Sequence, residues 1–287
     1  MATDVVVFML DQLSMKWLEL AESRGICDLP NVRRLIRSGV TFTNAFTSNP
    51  LCSPARACLA TGLSSRSHGV IEIGYELSPE VPTYMQALRD GGWRTGAFGK
   101  VHLSPNFFGR HNDSAYGFEV QHLTEDSRDG EWLEWIHREH AEHFDAVLST
   151  AGLFARMPGS ISFGPDEVDI RGRINEASGG APFAPDGPLP FPEELSQTNW
   201  ITDHAVQFIH ETPADQPLHA HISYVQPHSP FTPPARFRER VNADRIPAPA
   251  APEWRDDSIR HRALEMTPDE DDPDWRERRA WYFADLV

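Results

Sequence analysis

The sequence is poor in cysteine and in basic residues, and it has no long apolar run. Its 287 residues include only three cysteines (Cys27, Cys52 and Cys58), too few for a disulfide framework. No stretch approaches the ~18 continuous apolar residues of a membrane span. The first apolar run is short and lacks the basic start of a signal peptide. We therefore expect no disulfide scaffold and no membrane-spanning segment, and we predict a cytoplasmic protein.

Acidic residues outnumber basic ones, 42 against 26, which gives a formal net charge of −16. This balance argues against nucleic acid and anionic membranes as partners. It also repels anionic substrates, so a site for an anion would need strong local positive charge. The contents of 40% hydrophobic and 24% charged residues are typical of a globular chain with a sizeable core.

Short apolar runs alternate with helical patterns along the chain. Strands are predicted at residues 5–10, 40–46, 93–98 and 219–225. Helices are predicted at residues 18–23, 30–37, 81–90, 131–148, 202–211 and 274–286. The repeated order of strand, polar turn and helix indicates an α/β fold with a mostly parallel central sheet flanked by helices. Residues 151–193 are rich in Gly and Pro and predict an insertion on this sheet.

The most informative segment reads Leu-Cys-Ser-Pro-Ala-Arg-Ala-Cys-Leu-Ala-Thr-Gly from residue 51 to residue 62. Pro54 suits the first turn of a helix, and Gly62 is a plausible end. Cys52 would then lie at a helix N-terminus, which favours an anion. Arg56, one turn later, could hold an oxyanion. The alternative is an ordinary reduced cysteine in a strand-to-helix turn.

Further polar residues follow predicted strands, where ligands collect in open α/β sheets. Asp11 and Gln12 follow the first strand, Lys100 and His102 the 93–98 strand, and His228 the last one. Asp11 could ligate a divalent cation. Lys100 and His102, two apart on an extended segment, could reach one anion. The alternatives are a helix cap for Asp11, a solvated turn for Lys100 and His102, and a loop histidine for His228.

Two other patterns are weaker. Asp203 and His204 could be a metal pair, but their place early in the 202–211 helix favours helix-start chemistry. His137, His140 and His143 have i, i+3 spacing, yet no neighbouring carboxylate or cysteine pattern supports a metal site. We predict a solvated helix face for these three histidines.

Together the motifs resemble formylglycine-dependent type I sulfatases, a family of the alkaline-phosphatase-like superfamily. The matching segments are Asp11-Gln12, Pro30-Asn31-Val32, Gly39 to Ala45, Cys52-x-Pro54-x-Arg56 with Thr61-Gly62, Gly92-Trp93-x-Thr95, Gly99-Lys100-Val101-His102 and Pro227-His228-x-Pro230-Phe231. The Asp-Gln form is similar to choline sulfatases and phosphonate monoester hydrolases.

The resemblance implies a hydrolase that cleaves small-molecule sulfate esters. Cys52 would be converted to 3-oxoalanine (formylglycine) by a formylglycine-generating enzyme. Asp11 and formylglycine 52 would bind one divalent metal ion, Ca²⁺ in the first place, with Mn²⁺ or Mg²⁺ as alternatives. Gln12 would be a further ligand or lie just behind the ligands.

The resemblance also implies the other catalytic roles. Arg56 and Lys100 would stabilise the nucleophile and the developing negative charge. His102 would hydrogen-bond the second hydroxyl of the hydrated aldehyde and help to release sulfate. His228 would contact the ester oxygen or protonate the leaving group.

One part of the family pattern does not match. Family members carry a second metal pair, an Asp followed by Asn or His, which none of the acidic groups after residue 240 matches. We therefore expect residues 1–287 to form an incomplete N-terminal sulfatase-like catalytic domain lacking the C-terminal part, with an open sheet edge that invites association. Two alternatives to a sulfatase stay open: a phosphonate or phosphate ester hydrolase with the same nucleophile, and a truncated, non-catalytic homologue.

Overall fold

The computed structural model describes residues 3–104, 114–128, 130–151, 173, 176, 186–249 and 272–287. Most of the predicted insertion at 151–193 lies outside these residues, as do the acidic groups at 256–257 and 269–271. The chain divides into two compact units. Unit 1 comprises Met1–Gln12, Asn44–Pro185 and Pro190–Pro230, and unit 2 comprises Leu13–Thr43, Asp186–Leu189 and Phe231–Val287.

Unit 1 contains a four-stranded parallel sheet, which confirms the predicted architecture. Its strands are β1 (Val5–Leu10), β2 (Arg94–Gly99), β3 (Val120–Leu123) and β4 (Leu218–Tyr224), in the order β1-β4-β2-β3. The central strand β4 pairs with β1 and with β2, so that His221 lies opposite both Val7 and Ala97. All seven residues of β4 are buried, as expected for a central parallel strand.

Ten helices lie entirely within the described part of the chain, and we number them in chain order. They are α1 (Met15–Ser23), α2 (Pro30–Ser38), α3 (Cys52–Thr61), α4 (Ser65–His68), α5 (Tyr84–Asp90), α6 (Glu131–Glu139), α7 (Phe144–Leu148), α8 (Gln197–Glu211), α9 (Ala235–Arg238) and α10 (Pro273–Ala284). None of them is long and apolar enough to cross a lipid bilayer.

Each unit has its own hydrophobic core. In unit 1, Ala97 of β2 and Leu123 of β3 belong to a buried cluster with residues of α3 and α5. In unit 2, α1 and α10 share a second cluster, where the ring of Trp17 packs edge-on against Phe283 at 5.7 Å. Full burial of one such large apolar side chain is worth about 1.5–3 kcal/mol.

The strand predicted at residues 40–46 is wrong. The segment has no regular structure, and the alternating Val40, Phe42 and Phe46 are all exposed. Among the described strands none pairs with it, and an apolar alternation forms a strand only where a partner and a packing surface exist.

The predicted helix at 131–148 is interrupted. The chain leaves the helical conformation at His140 (φ −138°, ψ 43°), passes through the short 3₁₀ turn Ala141–His143, and resumes as α7. The residues from 137 to 143 are polar apart from Ala141, so this stretch has little apolar surface to bury. The three histidines therefore do not share one helix face: the ring of His137 packs 4.7 Å from Phe144, and that of His140 packs 4.6 Å from Trp135.

Helix α8 begins five residues earlier than the predicted start at residue 202. Ser196 caps it, because its Oγ accepts a hydrogen bond from the N–H of Asn199 at 3.2 Å. Asp203 and His204 consequently lie in the helix interior, so the prediction of helix-start chemistry there is wrong. The ring of His204 instead stacks on His122 at 3.8 Å.

Strand β1 lies at the edge of the described sheet. Val6 and Phe8 are 51% and 59% exposed there. The predicted association through an open sheet edge stays a prediction, as does the interpretation of residues 1–287 as one incomplete catalytic domain.

Candidate active site

The ends of the four strands bring polar side chains to one edge of the sheet. Asp11 follows β1, and its N–H donates to the backbone O of Tyr224 at 3.2 Å. Lys100 follows β2, and its N–H donates to the backbone O of Ser223 at 3.0 Å. Asp126 comes shortly after β3, and His228 comes shortly after β4. Because all strands are parallel, their carboxyl ends gather these residues at one place.

Helix α3 adds two more side chains. It begins at Cys52 after the extended residue Leu51, and it ends at Gly62, whose left-handed conformation (φ +69°) allows its N–H to donate to Cys58 O at 2.9 Å. The predicted position of Cys52 at a helix N-terminus is thus confirmed. Arg56, one turn later, is only 6% exposed, whereas Cys52 is half-buried.

Lys100 lies at the centre of the cluster. Its Nζ donates to Asp11 Oδ2 at 2.6 Å and to Asp126 Oδ2 at 2.9 Å, and its side chain is completely buried. Burial alone lowers the pKa of Lys100, but the charges of Asp126 and Asp11 outweigh burial and raise that pKa above its ordinary value. The ammonium is therefore a permanent charge of the site.

The two carboxylates are held ionised by the same contacts. Burial by itself raises the pKa of Asp11, but Lys100 and then Arg56 lower it below the ordinary value. Burial likewise raises the pKa of Asp126, and Lys100 and the nearby histidines more than reverse that effect. Both side chains therefore carry a negative charge at neutral pH.

Arg56 is fixed by one side of its guanidinium and leaves donors on the other. Its Nη1 donates to the backbone O of Lys100 and to Ser223 Oγ, the latter at 3.0 Å. Its Nη2 lies 3.5 Å from Asp11 Oδ1. In the part of the chain that is described, neither Nε nor Nη2 has a hydrogen-bond partner. These buried donors suit an anion.

His102 reaches the cluster after a sharp change of backbone direction. Gly99 has φ +91°, and a side chain there would collide with the backbone O of Ser223, so only glycine fits. His102 itself has φ +58°, so the segment from 99 to 102 is not extended as predicted, although Lys100 and His102 still lie in one site. Burial, and secondarily Lys100, lower the pKa of His102 to about 3, which keeps its ring neutral at pH 7.

His228 is oriented by hydrogen bonding. Its Nδ1–H donates to the backbone O of Ser229 at 2.8 Å. Its Nε2 lies 3.5 Å from Asp126 Oδ2. The prolines on either side, Pro227 and Pro230, both follow cis peptide bonds. The free face of the ring thus presents Nε2 to the cluster.

Within the described residues, one group of His, Cys, Asp and Glu side chains could hold a metal ion. It consists of Asp11, Cys52 and His228, whose ligand atoms lie within 4.8 Å of one another. Burial raises the pKa of the Cys52 thiol above its ordinary value, with Lys100 acting in the opposite direction. A hard carboxylate oxygen next to an oxygen-bearing residue 52 fits a divalent cation better than an unmodified thiol does. Gln12 is exposed (φ +63°), and its role as a ligand stays a prediction.

Six of the seven predicted site residues therefore lie together. They are Asp11, Cys52, Arg56, Lys100, His102 and His228. Sequence reasoning missed Asp126, because it missed the short strand β3 that delivers it. The available signal was the change from apolar Leu123 to the polar run Thr-Glu-Asp-Ser, which is typical of a strand end.

Comparison with known proteins agrees with this geometry. The family profile described as Sulfatase matches residues 3–272. The chain is 25% identical over 267 residues to an arylsulfatase of Clostridium perfringens, which covers 88% of this chain and 49% of the relative. It is 36% identical over 124 residues to a choline-sulfatase of Rhizobium meliloti, which covers 43% of this chain and 22% of the relative.

Solved structures show the same fold. The phosphonate monoester hydrolase of Agrobacterium radiobacter superposes with a TM-score of 0.68 at 24% identity, over 99% of this chain and 56% of that protein. The chain spans about half the length of the relatives that it matches over most of its own length. Proteins of this family generally use a formylglycine and a divalent metal and act on sulfate esters. By its profile match, its relatives and its fold, the chain belongs to the sulfatase family.

Proposed function

We propose that this chain hydrolyses small-molecule sulfate esters, using a formylglycine made from Cys52 and a divalent metal held by Asp11. One observation supports the proposal most strongly. Residue 52 begins a buried helix with the ligand atoms of Asp11 and His228 within 4.8 Å, and Arg56 and Lys100 lie beside it. A nucleophile, a metal-binding carboxylate and two permanent cations are thus collected at one end of a parallel sheet.

The metal and the formylglycine have defined roles in this proposal. The metal supplies positive charge for the bound anion, and formylglycine, once hydrated, supplies an oxygen nucleophile and a second hydroxyl for product release. Oxygen donors favour Ca²⁺, with Mn²⁺ or Mg²⁺ as alternatives. The formylglycine-generating enzyme is the partner that the proposal requires. A cytoplasmic location stays a prediction from the sequence, which fractionation of the host would test.

The chain's own residues divide the remaining work. The Nε and Nη2 donors of Arg56 bind a sulfate oxygen, since no described protein atom accepts from them. Lys100 holds Asp11 in place through its 2.6 Å contact. His102, neutral at pH 7, accepts a proton from residue 52 during product release.

His228 acts on the leaving group. Because its Nδ1–H is engaged by the backbone O of Ser229, the proton that passes to the leaving-group oxygen is held at Nε2. Asp126 Oδ2 lies 3.5 Å from Nε2 and so helps to orient this edge of the ring.

A second function is a phosphonate ester hydrolase with the same nucleophile. Two observations favour it: the fold matches that of a phosphonate monoester hydrolase over 99% of the chain, and the first strand ends in Asp11-Gln12. The two functions need the same residues and differ in the central atom of the ester.

The first experiment follows the modification of Cys52. Trypsin cleavage after Arg56 places Cys52 in peptide 38–56 and Cys58 in peptide 57–66. After co-expression with a formylglycine-generating enzyme, mass spectrometry should show an aldehyde in the first peptide. The second peptide is an internal control and should keep its thiol, because Cys58 lies within α3 and not at its N-terminus.

The second experiment measures turnover of nitrophenyl sulfate and of a nitrophenyl phosphonate ester, with and without Ca²⁺. We expect sulfate ester hydrolysis that depends on metal and falls at least ~10³-fold in Cys52→Ala. Faster turnover of the phosphonate would favour the second function. An unmodified Cys52 with no turnover of either ester would refute both and favour the non-catalytic reading.

A further inference from the structure

We infer that Asp126 sets the charge class of the substrate, so that the site takes esters whose reacting group carries one negative charge in preference to two. This inference rests on the proposed function, because it concerns the substrate of the same site. It adds a specificity-determining residue that none of the predicted motifs contains.

Asp126 is placed to act on a bound anion. Its Oδ2 accepts from Lys100 Nζ at 2.9 Å and lies 3.5 Å from His228 Nε2. Its side chain is 16% exposed, whereas that of Lys100 is fully buried. Asp126 therefore covers Lys100 on a side that is nearer to solvent. Its field also reaches residue 52: burial is the main cause of the raised pKa of the Cys52 thiol, and the charges of Asp11 and then Asp126 add to that rise.

The carboxylates and the permanent cations of the site balance without a metal. Asp11 and Asp126 contribute two negative charges, and Arg56 and Lys100 contribute two positive ones, through direct contacts. These four groups leave no surplus positive charge for an anion. Attraction must then come from the proton on His228 and from a divalent cation, which brings two charges.

Asp126 lies outside the candidate metal group. Among the described side chains that group consists of Asp11, Cys52 and His228. Its charge therefore subtracts directly from the positive charge offered to the substrate. An anion with a second negative charge meets the repulsion of Asp126 twice, so a doubly charged phosphate monoester is disfavoured relative to a singly charged sulfate or phosphonate ester.

The size of the effect follows from Coulomb's law. For two unit charges several ångströms apart at an effective dielectric constant of about 20, the interaction changes affinity by roughly 10- to 100-fold after solvent screening. Asp126→Asn keeps the shape and removes the charge. We expect it to move the preference between singly and doubly charged anions by this factor, toward the doubly charged one.

The experiment compares anions that differ in charge and little in shape. One pair is nitrophenyl methylphosphonate and nitrophenyl phosphate, compared by kcat/KM at pH 8 in the Ca²⁺-loaded protein. The other pair is methanesulfonate and sulfate, whose dissociation constants calorimetry gives without any turnover. In Asp126→Asn both ratios should shift about 10- to 100-fold toward the doubly charged member.

Two further variants serve as controls. Asp126→Glu retains the negative charge near the same place. It should therefore keep both ratios within about 3-fold of those of the unaltered chain. Asp203→Asn removes an exposed carboxylate on α8 and should change neither ratio. An equal loss for both members of each pair in Asp126→Asn would show that Asp126 only supports Lys100, and it would overturn the inference.

The outcomes separate this inference from the proposed function. Suppose that the chain turns over neither ester, but that the ratio of the methanesulfonate and sulfate dissociation constants shifts in Asp126→Asn. This result would refute the hydrolase and support the role of Asp126 in charge selection. Hydrolysis with an unshifted ratio would support the hydrolase and refute that role of Asp126. Absence of binding of either anion to every variant would also refute it.

Discussion

Unit 1 and unit 2 differ in whether they bury charged side chains. Unit 1 buries ionised side chains at the ends of its strands, with Lys100 at 0% and Arg56 at 6% exposure. Unit 2 buries an apolar and aromatic cluster around Phe283 and keeps ion pairs such as Arg238–Glu277 nearer to solvent. Both units are compact, so burial of charge is not a requirement of folding in this chain.

The difference shows that the site has an energetic cost for the folded chain. A buried charge loses its hydration, and that loss is offset only when partners are close and hydrogen-bonded. In unit 1 the four charged groups Asp11, Arg56, Lys100 and Asp126 stabilise one another, and removal of Lys100 takes the ammonium away from both carboxylates. In unit 2 an ion pair can be removed and water takes its place. Three variants test this contrast.

The largest effect is expected for Lys100→Met. The substitution leaves Asp11 and Asp126 buried near each other without their shared cation. Breaking a buried pair of this kind costs about 3–5 kcal/mol of unfolding free energy. Urea denaturation followed by tryptophan fluorescence gives the value. Lys16→Met, at an exposed position of unit 2, is the matched control, and equal stability of the two variants would contradict the contrast.

An intermediate effect is expected from pH, through His221 of β4. Burial, and then Arg56, lower the pKa of His221 to about 3, whereas an unfolded histidine has a pKa near 6.5. Between these values the unfolded chain binds a proton that the folded chain does not. Stability therefore falls as the pH drops from about 6.5 toward 3.

In His221→Met this contribution disappears. The loss of stability on acidification should become less steep, by up to about 1.4 kcal/mol per pH unit between pH 5.5 and 4. Urea denaturation at several pH values measures the slope. His210→Met, exposed near the end of α8, should leave the slope unchanged; a slope unaltered in both variants would mean that His221 is charged in the folded chain.

The smallest effect is expected for Glu277→Gln in unit 2. Arg238 Nη2 lies 2.6 Å from Glu277 Oε2, but Glu277 is 52% exposed. Exposed pairs of this kind contribute about 0–1 kcal/mol. Thermal denaturation should therefore scarcely distinguish this variant from Glu239→Gln, at an exposed position on the same unit. A loss as large as that of Lys100→Met would remove the distinction between the units.

Local sequence features predicted the placement of individual residues well. The β-branched run before Asp11 is a strand with the predicted bounds, and the Cys52–Gly62 segment is a helix with the predicted start and end. These elements are determined by nearby residues: apolar continuity in the first case, Pro54 and Gly62 in the second. The Val40–Phe46 prediction, at residues 40–46, was wrong because a strand also needs a distant partner.

The contacts within the site could not be predicted in the same way. Lys100 meets Asp11 across 89 positions of sequence, and Arg56 meets Ser223 across 167. Asp126 was missed because β3 has only four residues and no apolar alternation. Such contacts depend on the order of strands in the sheet, which periodicity does not encode. The resemblance of motifs predicted which residues belong to one site. The ion pairs among them became visible only in the structure.

Lys100 also has a chemical consequence outside catalysis. The sequence contains two lysines, Lys16 and Lys100, and of these only Lys16 is exposed. The native chain therefore offers acylating reagents one side-chain amine, while the other is enclosed between two carboxylates. Acylation of Lys100 would show that the strand ends have opened. The mass of the peptide that contains Lys100 therefore reports whether the site is intact.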